Sequence, residues 1–245
     1  MLAQEVAAAY NGKVGFVSEN FGESSLAARF GIKGYPAIFL DDVLVAKPGD
    51  FGYFGEGKDA GRYTPWKSAE SHQKFKRDLT RMIDLMLAGK KEEVAAERKS
   101  ANADHELVSL PAFALIDLAG RPLSSRQLDG RIVLVEFWAT WCPPCRSTLE
   151  RLGELRKKYG ENLAILALAV DSKEEDVRKL AASLSPEINW AMATPEAGRT
   201  FGDVVSIPTL LLFDARGKVA GTWYGAPPEL HQQVENRLGS LLGQQ

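Results

Sequence analysis

Two cysteines, Cys142 and Cys145, are the only cysteines in the 245-residue chain, and two prolines separate them. A disulfide between them closes a very small loop and removes little entropy from the unfolded chain, which disfavours a purely structural role. A pair this close is better suited to alternating between dithiol and disulfide. The spacing therefore indicates redox chemistry at sulfur.

Metal and haem sites fit the same residues poorly. A structural zinc site needs four ligands, and the three histidines, His72, His105 and His231, show no ligand spacing around the pair. Covalent haem attachment requires a histidine directly after the second cysteine, where this chain has Arg146. A buried, inert pair stays open, because free cysteines often serve as small core residues.

The residues on either side of the pair predict a strand followed by a helix. Residues 131–137 form a continuous β-branched and aromatic run, typical of a strand buried on both faces. After the pair, apolar residues recur with helical spacing at Leu149, Leu152, Leu155 and Tyr159. Cys142 is therefore expected near a helix N-terminus, where unpaired N–H groups and the helix dipole stabilise a thiolate. Pro143 and Pro144 have no N–H and limit the donors that reach its sulfur.

Three separated segments resemble one known family. Residues 132–145, IVLVEFWATWCPPC, closely resemble the active-site segment of thioredoxin-fold proteins. Residues 110–131 resemble the N-terminal hairpin of the TlpA/ResA branch, and residues 205–213 resemble the cis-proline strand of the family. The resemblance covers about residues 106–243. It implies an α/β, thioredoxin-like three-layer fold with a central mixed sheet flanked by helices, and thiol:disulfide oxidoreductase activity, most often as a protein disulfide reductase.

The resemblance also implies roles for single residues. Cys142 is expected to attack a substrate disulfide, and Cys145 to resolve the mixed disulfide. Glu136 matches a buried carboxylate that accepts a proton from the resolving cysteine; the alternative is a side chain that reaches solvent beyond the strand edge. The residues expected to bind substrate are Trp141, Pro143, Pro144, Ile207 and Pro208, the last of them after a cis peptide bond.

One position departs from the TlpA/ResA branch, and two other functions stay open. Many relatives carry a glutamate three residues after the second cysteine, where this chain has Thr148, and Glu136 is expected to substitute for it. A peroxiredoxin-like thiol peroxidase is one alternative, because Thr140 and Cys142 superficially resemble the Thr-x-x-Cys of that family, one residue short. A non-catalytic chaperone or binding module with a vestigial pair is the other.

Composition limits the class of partner. Net charge is −2 and the apolar fraction is 45%, so nothing favours nucleic acid or an anionic membrane surface. No apolar run reaches 18 residues, which predicts no transmembrane helix, and the N-terminus is not an intact signal peptide. The resemblance implies a periplasmic or other extracytoplasmic setting, with a cytoplasmic one still open. Its expected partners are protein thiol or disulfide substrates and an upstream thiol donor, with no cofactor besides the redox-active pair.

Residues 1–89 are expected to form a partial, degenerate thioredoxin-like domain without a CxxC pair, residues 90–105 a linker, and residues 106–245 the active domain. In the first of these, the pattern predicts a strand at 13–18 and helices at 23–30 and 68–88, with Tyr35–Pro36 at the cis-proline position. The central strand that should precede residue 13 has no candidate, which leaves backbone groups of the 14–17 strand unpaired. The aromatic loop 47–66 is expected either to pack on itself or to dock a partner protein.

Overall fold

The computed structural model describes residues 2–20, 26, 29–30, 36–47, 50, 68–103, 107–202, 204 and 206–243. The chain divides into two compact units, Met1–Glu106 and Leu107–Gln245. Most of the aromatic loop 47–66, most of the predicted helix 23–30, and Tyr35 lie outside the described residues. The predictions made for them remain predictions.

The elements described in the first unit are three helices and one hairpin. Its elements are α1 (Leu2–Ala8), β1 (Ile38–Leu40), β2 (Val43–Ala46), α2 (Ala69–Leu87) and α3 (Lys91–Ala103). Helix α2 confirms the prediction for residues 68–88: Ser68 caps it by accepting the N–H of Ser71, and its buried stripe contains Leu79, Met82 and Ile83. The two strands pair antiparallel, with Phe39 opposite Leu44.

The strand predicted at residues 13–18 is wrong. Residues 15–20 carry no secondary structure, and Phe16 and Val17 are 38% and 73% exposed. A β-rich pattern forms a strand only when a neighbour satisfies its backbone hydrogen bonds, and the described part of this unit pairs only β1 with β2.

The linker predicted at residues 90–105 is also wrong, because α3 packs into the first unit. Val94 is fully buried in the same apolar cluster as Leu79 and Ile83. An ion pair between Lys91 and Asp42 joins the start of α3 to the hairpin. A single buried valine anchors a helix whose remaining composition is charged and alanine-rich.

The second unit is built on a five-stranded mixed sheet. The strands described in the second unit, including those outside this sheet, are β3 (Ala114–Ile116), β4 (Pro122–Ser124), β5 (Ile132–Trp138), β6 (Leu163–Ala169), β7 (Asn189–Met192), β8 (Thr209–Phe213) and β9 (Val219–Tyr224). The large sheet has the order β7-β6-β5-β8-β9, and β3 and β4 form a separate hairpin. Strand β5 runs parallel to β6 and antiparallel to β8. Every residue of β5 is buried, as a central strand requires.

Helices cover the sheet and complete the α/β fold that the sequence predicts. They are α4 (Pro143–Tyr159), α5 (Glu174–Ser183), α6 (Pro195–Thr200) and α7 (Leu230–Leu242). Helix α4 follows β5 after four residues and ends at Gly160, whose φ of 56° is in the region that favours glycine. Ion pairs from Arg151 and Lys158 to Glu235 join α4 to α7. The redox pair thus lies between a buried central strand and a well-anchored helix.

Candidate active site at the strand–helix junction

Cys142 and Cys145 form a disulfide with an S–S distance of 2.01 Å and a Cα–Cα distance of 5.4 Å. Cys142 is the N-cap residue of α4, and its Sγ accepts the backbone N–H of Cys145 at 3.3 Å. Cys142 is 4% exposed and Cys145 is fully buried. Cys142 is therefore the more accessible of the two residues, and Cys145 lies one helical turn deeper.

Few backbone donors reach the sulfur of Cys142. Pro143 and Pro144 occupy the first two positions of α4, where they have no N–H to give. The N–H of Arg146 points to the carbonyl oxygen of Cys142 at 3.4 Å. Among the described residues, the N–H of Cys145 is the one donor bonded to the sulfur, so the helix N-terminus stabilises a thiolate less than an unmodified helix start does.

Hydrogen bonds from distant residues hold the turn before Cys142. Thr140 donates its N–H to the Ser172 hydroxyl at 2.9 Å, and Trp141 donates Nε1–H to the carbonyl oxygen of Asp171 at 2.9 Å. Arg146 reaches back from α4 and donates an Nη2–H to the carbonyl oxygen of Thr140 at 2.7 Å. The Trp141 side chain is 46% exposed, so this fixed turn presents an aromatic surface beside the disulfide.

Glu136 lies at the centre of the sheet with no exposed surface. Its neighbours across the strands are Ala167 in β6 and Leu210 in β8, both fully buried. Neither carboxyl oxygen has a hydrogen-bond partner among the described residues. Burial raises the pKa of Glu136 well above its usual value. The alternative of a side chain that reaches solvent at the strand edge is wrong.

Glu136 faces the helix that carries the cysteines. Side chains alternate along a strand, so Glu136 and Trp138 share one face of the sheet. Trp138 packs edge-on against Trp190, with ring centroids 5.6 Å apart, and Trp190 donates to the carbonyl oxygen of Ser185. Ser185 packs against Gly153 of α4 so closely that a Cβ there would lie 3.0 Å from the serine Cβ. Helix α4 therefore covers the same face as the buried carboxyl group.

The segment before β8 lies beside the end of β5. Phe137 is paired with Thr209, which puts Pro208 opposite Trp138, four residues before Cys142. The Ile207–Pro208 peptide bond is cis. Pro208 is buried, and its carbonyl oxygen accepts the N–H of Gly225 at 2.8 Å. The fold thus brings Ile207 and Pro208 to the edge of the sheet where the redox pair begins.

Three other positions from the sequence analysis are also located. Pro143 and Pro144 are exposed beside the disulfide. Thr148 is buried, and its hydroxyl donates to the carbonyl oxygen of Pro144 at 3.0 Å, so it offers no acid or base to the site. The part of the chain that the structure describes contains no cluster of three or more potential metal ligands. It also contains no helix with the length and hydropathy needed to cross a membrane.

Sequence reasoning missed Arg146, Asp171 and Ser172 as parts of this site. Ser172 and Asp171 are about 30 residues from the turn that they hold, and single-sequence patterns give no signal at that range. Arg146 was detectable in principle, because residues four apart on a helix lie on the same face.

Comparison with known proteins assigns the second unit. A family model described as the AhpC/TSA family matches residues 108–230. The chain belongs to the AhpC/TSA family. It is 31% identical over 134 residues to the thiol-disulfide oxidoreductase ResA of Bacillus thuringiensis subsp. konkukian, covering 54% of this chain and 75% of that protein. It is 29% identical over 130 residues to the thioredoxin-like protein YneN of Bacillus subtilis, covering 52% and 75%.

Solved structures give the same result. A thiol:disulfide interchange protein of the thioredoxin family from Chlorobium tepidum TLS matches with a TM-score of 0.51 and 29% identity, covering 56% of this chain and 97% of that one. The predicted thioredoxin fold and the TlpA/ResA likeness are therefore confirmed. So is thiol:disulfide oxidoreductase activity, and neither the peroxidase nor the non-catalytic alternative is favoured.

Proposed function

We propose that the second unit reduces disulfides in protein substrates, with Cys142 as the attacking residue and Cys145 as the resolving residue. The observation that carries this assignment is the difference in access: Cys142 retains exposed surface at the helix start, whereas Cys145 has none. The attacking sulfur must meet a substrate, and the resolving sulfur needs to meet only its partner.

The proposed reaction has two exchanges. The thiolate of Cys142 displaces one sulfur of the substrate disulfide, which leaves as a thiolate and takes a proton, and a mixed disulfide forms. Cys145 then loses its proton and attacks the Cys142 sulfur, releasing the second substrate sulfur as a thiol. The substrate gains two electrons and two protons, and the protein ends with the Cys142–Cys145 disulfide. An upstream thiol donor returns it to the dithiol by the reverse exchanges.

Glu136 is the proposed acceptor of the Cys145 proton. It lies on the sheet face that α4 covers, and its raised pKa suits proton transfer near neutral pH. Thr148, at the position where many TlpA/ResA relatives have a glutamate, donates its hydroxyl to a backbone carbonyl. This leaves Glu136 as the acid–base group on that face of β5.

The proposed substrate groove lies between Trp141, the two prolines and the Ile207–Pro208 segment. Trp141, Pro143 and Pro144 are exposed, which lets a substrate chain contact them directly. Ile207 and Pro208 lie at the same edge of the sheet, next to the end of β5. A peptide held against these apolar surfaces brings its disulfide to the sulfur of Cys142.

The donors at the helix start support the proposed direction of reaction. A protein oxidises its targets strongly when its reduced form is stabilised, chiefly through the thiolate. Here the two prolines leave a single backbone N–H for the Cys142 sulfur, which supports a reductant. We also propose an extracytoplasmic setting, which the likeness to ResA-type oxidoreductases supports.

Exchange of single cysteines tests the assignment. With dithiothreitol as donor and insulin as a disulfide-containing protein, the unaltered protein should accelerate insulin reduction, and Cys142→Ser should abolish the acceleration. Cys145→Ser should accumulate a mixed disulfide with insulin through Cys142, detectable by mass spectrometry and released by excess thiol. Insulin reduction by Cys142→Ser would remove the attacking role of Cys142. A mixed disulfide formed through Cys145 would reverse the proposed roles of the two cysteines.

A further inference from the structure

We infer that Arg146 is a positioning residue for the attacking sulfur: its guanidinium, tied to the Thr140 carbonyl, fixes the turn before Cys142 and holds a positive charge beside it. The inference rests on the proposed role of Cys142 as the attacking residue. The bond that supports it joins Arg146 Nη2 to the Thr140 oxygen at 2.7 Å. Arg146 is four residues after Cys142, so the two residues lie on the same face of the first helical turn.

The distance is short enough for the charge to act on the sulfur. Successive Cα atoms are about 3.8 Å apart, so a guanidinium bonded to the carbonyl of Thr140, two residues before Cys142, lies on the order of 10 Å from the Cys142 sulfur. That separation is about one Debye length at 0.1 M salt, so the interaction is only partly screened. Among the described residues, Arg146 forms no ion pair with a carboxylate, so no direct contact neutralises its charge.

The need for such a charge comes from the prolines. An ordinary helix start offers its first N–H groups to an anion, and here the first two are missing. Arg146 supplies from a side chain the positive potential that Pro143 and Pro144 remove from the backbone. Because the bond to Thr140 restrains the guanidinium, the charge stays near the sulfur.

Other charged groups near Cys142 do not take over this role. On β5, burial raises the pKa of Glu136, which disfavours a negative charge at that position. After β6, Asp171 and Lys173 carry opposite charges two residues apart. The described residues on the cis-proline side, Ser206, Ile207 and Pro208, carry no charge.

Charge removal at Arg146 tests the inference in the full chain. After reduction, the rate of Cys142 alkylation by iodoacetamide, a neutral reagent, is followed from pH 5 to 9 in Cys145→Ser protein with and without Arg146→Gln. Arg146→Gln should have about threefold less Cys142 thiolate at neutral pH, because it loses the interaction with one partly screened charge at this distance. In the two-cysteine protein, the midpoint potential should become more negative by about 14 mV. This is the shift that a threefold change in equilibrium produces in a two-electron couple.

Two further variants separate charge from structure. Arg146→Lys keeps the charge and should restore at least half of the lost thiolate. Lys157→Gln removes a charge from the same helix about 22 Å away and should change nothing.

Raising the salt from 0.05 to 1 M should lower the Cys142 reactivity of the parent protein and leave Arg146→Gln unaffected. Thermal unfolding of each variant identifies any loss of fold.

The outcomes decide separately on the inference and on the proposed function. If Arg146→Gln matches the parent across the pH series, or if Arg146→Lys behaves like Arg146→Gln, Arg146 does not act on Cys142 through its charge. If the parent itself shows no enhanced Cys142 reactivity and no insulin reduction, the proposed function fails whatever the variants do.

Discussion

At the scale of single residues, Glu136 is the least expected side chain for its surroundings. A carboxyl group with no exposed surface and no hydrogen-bond partner in the described structure is costly when ionised, so its pKa is raised. Its raised pKa makes the folded state bind a proton that the unfolded chain releases. A buried acid of this kind costs stability at neutral pH, and its role in proton transfer is a reason to keep it.

The pH dependence of stability checks this description. The pKa of Glu136 is higher in the folded protein than in the unfolded chain, where it is near 4.5. The contribution of Glu136 to stability is therefore complete below pH 4.5 and is lost as the pH rises toward the pKa of the folded state. The free energy of unfolding should fall by up to about 1.4 kcal/mol per pH unit in that window. Glu136→Gln should flatten this slope and be more stable than the parent at pH 7, as measured by urea unfolding from pH 4 to 8.

Glu150→Gln is the matched control, because it removes an exposed carboxylate from α4. It should leave the pH dependence of the unfolding free energy unchanged.

Glu136→Gln should also slow insulin reduction at neutral pH by on the order of 100-fold, the usual contribution of a general base. A parent protein whose stability does not decline above pH 5 would contradict a protonated Glu136.

Single-residue chemistry was predictable from sequence where it depends on neighbours along the chain. The strand before Cys142, the helix after it and the position of Glu136 all follow from local patterns. The contacts of Thr140 with Ser172 and of Trp141 with Asp171 were not predictable, because they join loops about 30 residues apart. The role of Arg146 depends on the direction of a long side chain, which spacing alone does not determine.

At the scale of elements, we expect the start of α4 to determine the redox behaviour of the pair. An N-cap side chain accepts N–H groups from the second or third helical residue, and Pro144 removes the second. Pro144→Ala should add a second donor to the Cys142 sulfur. We expect about a tenfold gain in thiolate and a midpoint potential higher by about 30 mV, measured in a glutathione redox buffer.

Pro143→Ala provides the comparison, because the N–H of the first helical residue is not directed at an N-cap side chain. It should shift the potential much less than Pro144→Ala. Equal shifts from the two variants would mean that the cysteine sulfur does not respond to individual donors. No shift from either would remove the argument that the prolines make the pair a reductant.

Two elements of the first unit show where local patterns fail. Residues 13–18 have the composition of a strand, but no neighbouring strand is described to receive their hydrogen bonds. Residues 90–105 have the composition of a linker, yet Val94 enters the core and Lys91 pairs with Asp42. In both cases the outcome depends on a tertiary partner, and propensity within the segment does not report one.

At the scale of the whole molecule, the two units differ in how far sequence explains them. The second unit has a complete sheet, and three motifs in order predicted its fold and activity. In its described residues, the first unit has a two-stranded hairpin, three helices and its own apolar cluster. That it is a partial thioredoxin-like domain stays a prediction, because its resemblance rests on the pattern of residues 13–46, much of which is undescribed.

Redox titration of the Cys142–Cys145 pair tests the central claim most directly. The fraction of disulfide is measured by alkylation and mass spectrometry across dithiothreitol and glutathione buffers of graded potential. We predict one two-electron transition near the thioredoxin value of about −270 mV. A pair that stays oxidised throughout would be structural, and one that titrates near the DsbA value of about −120 mV would be an oxidant. Either result would contradict a protein disulfide reductase built on this strand–helix junction.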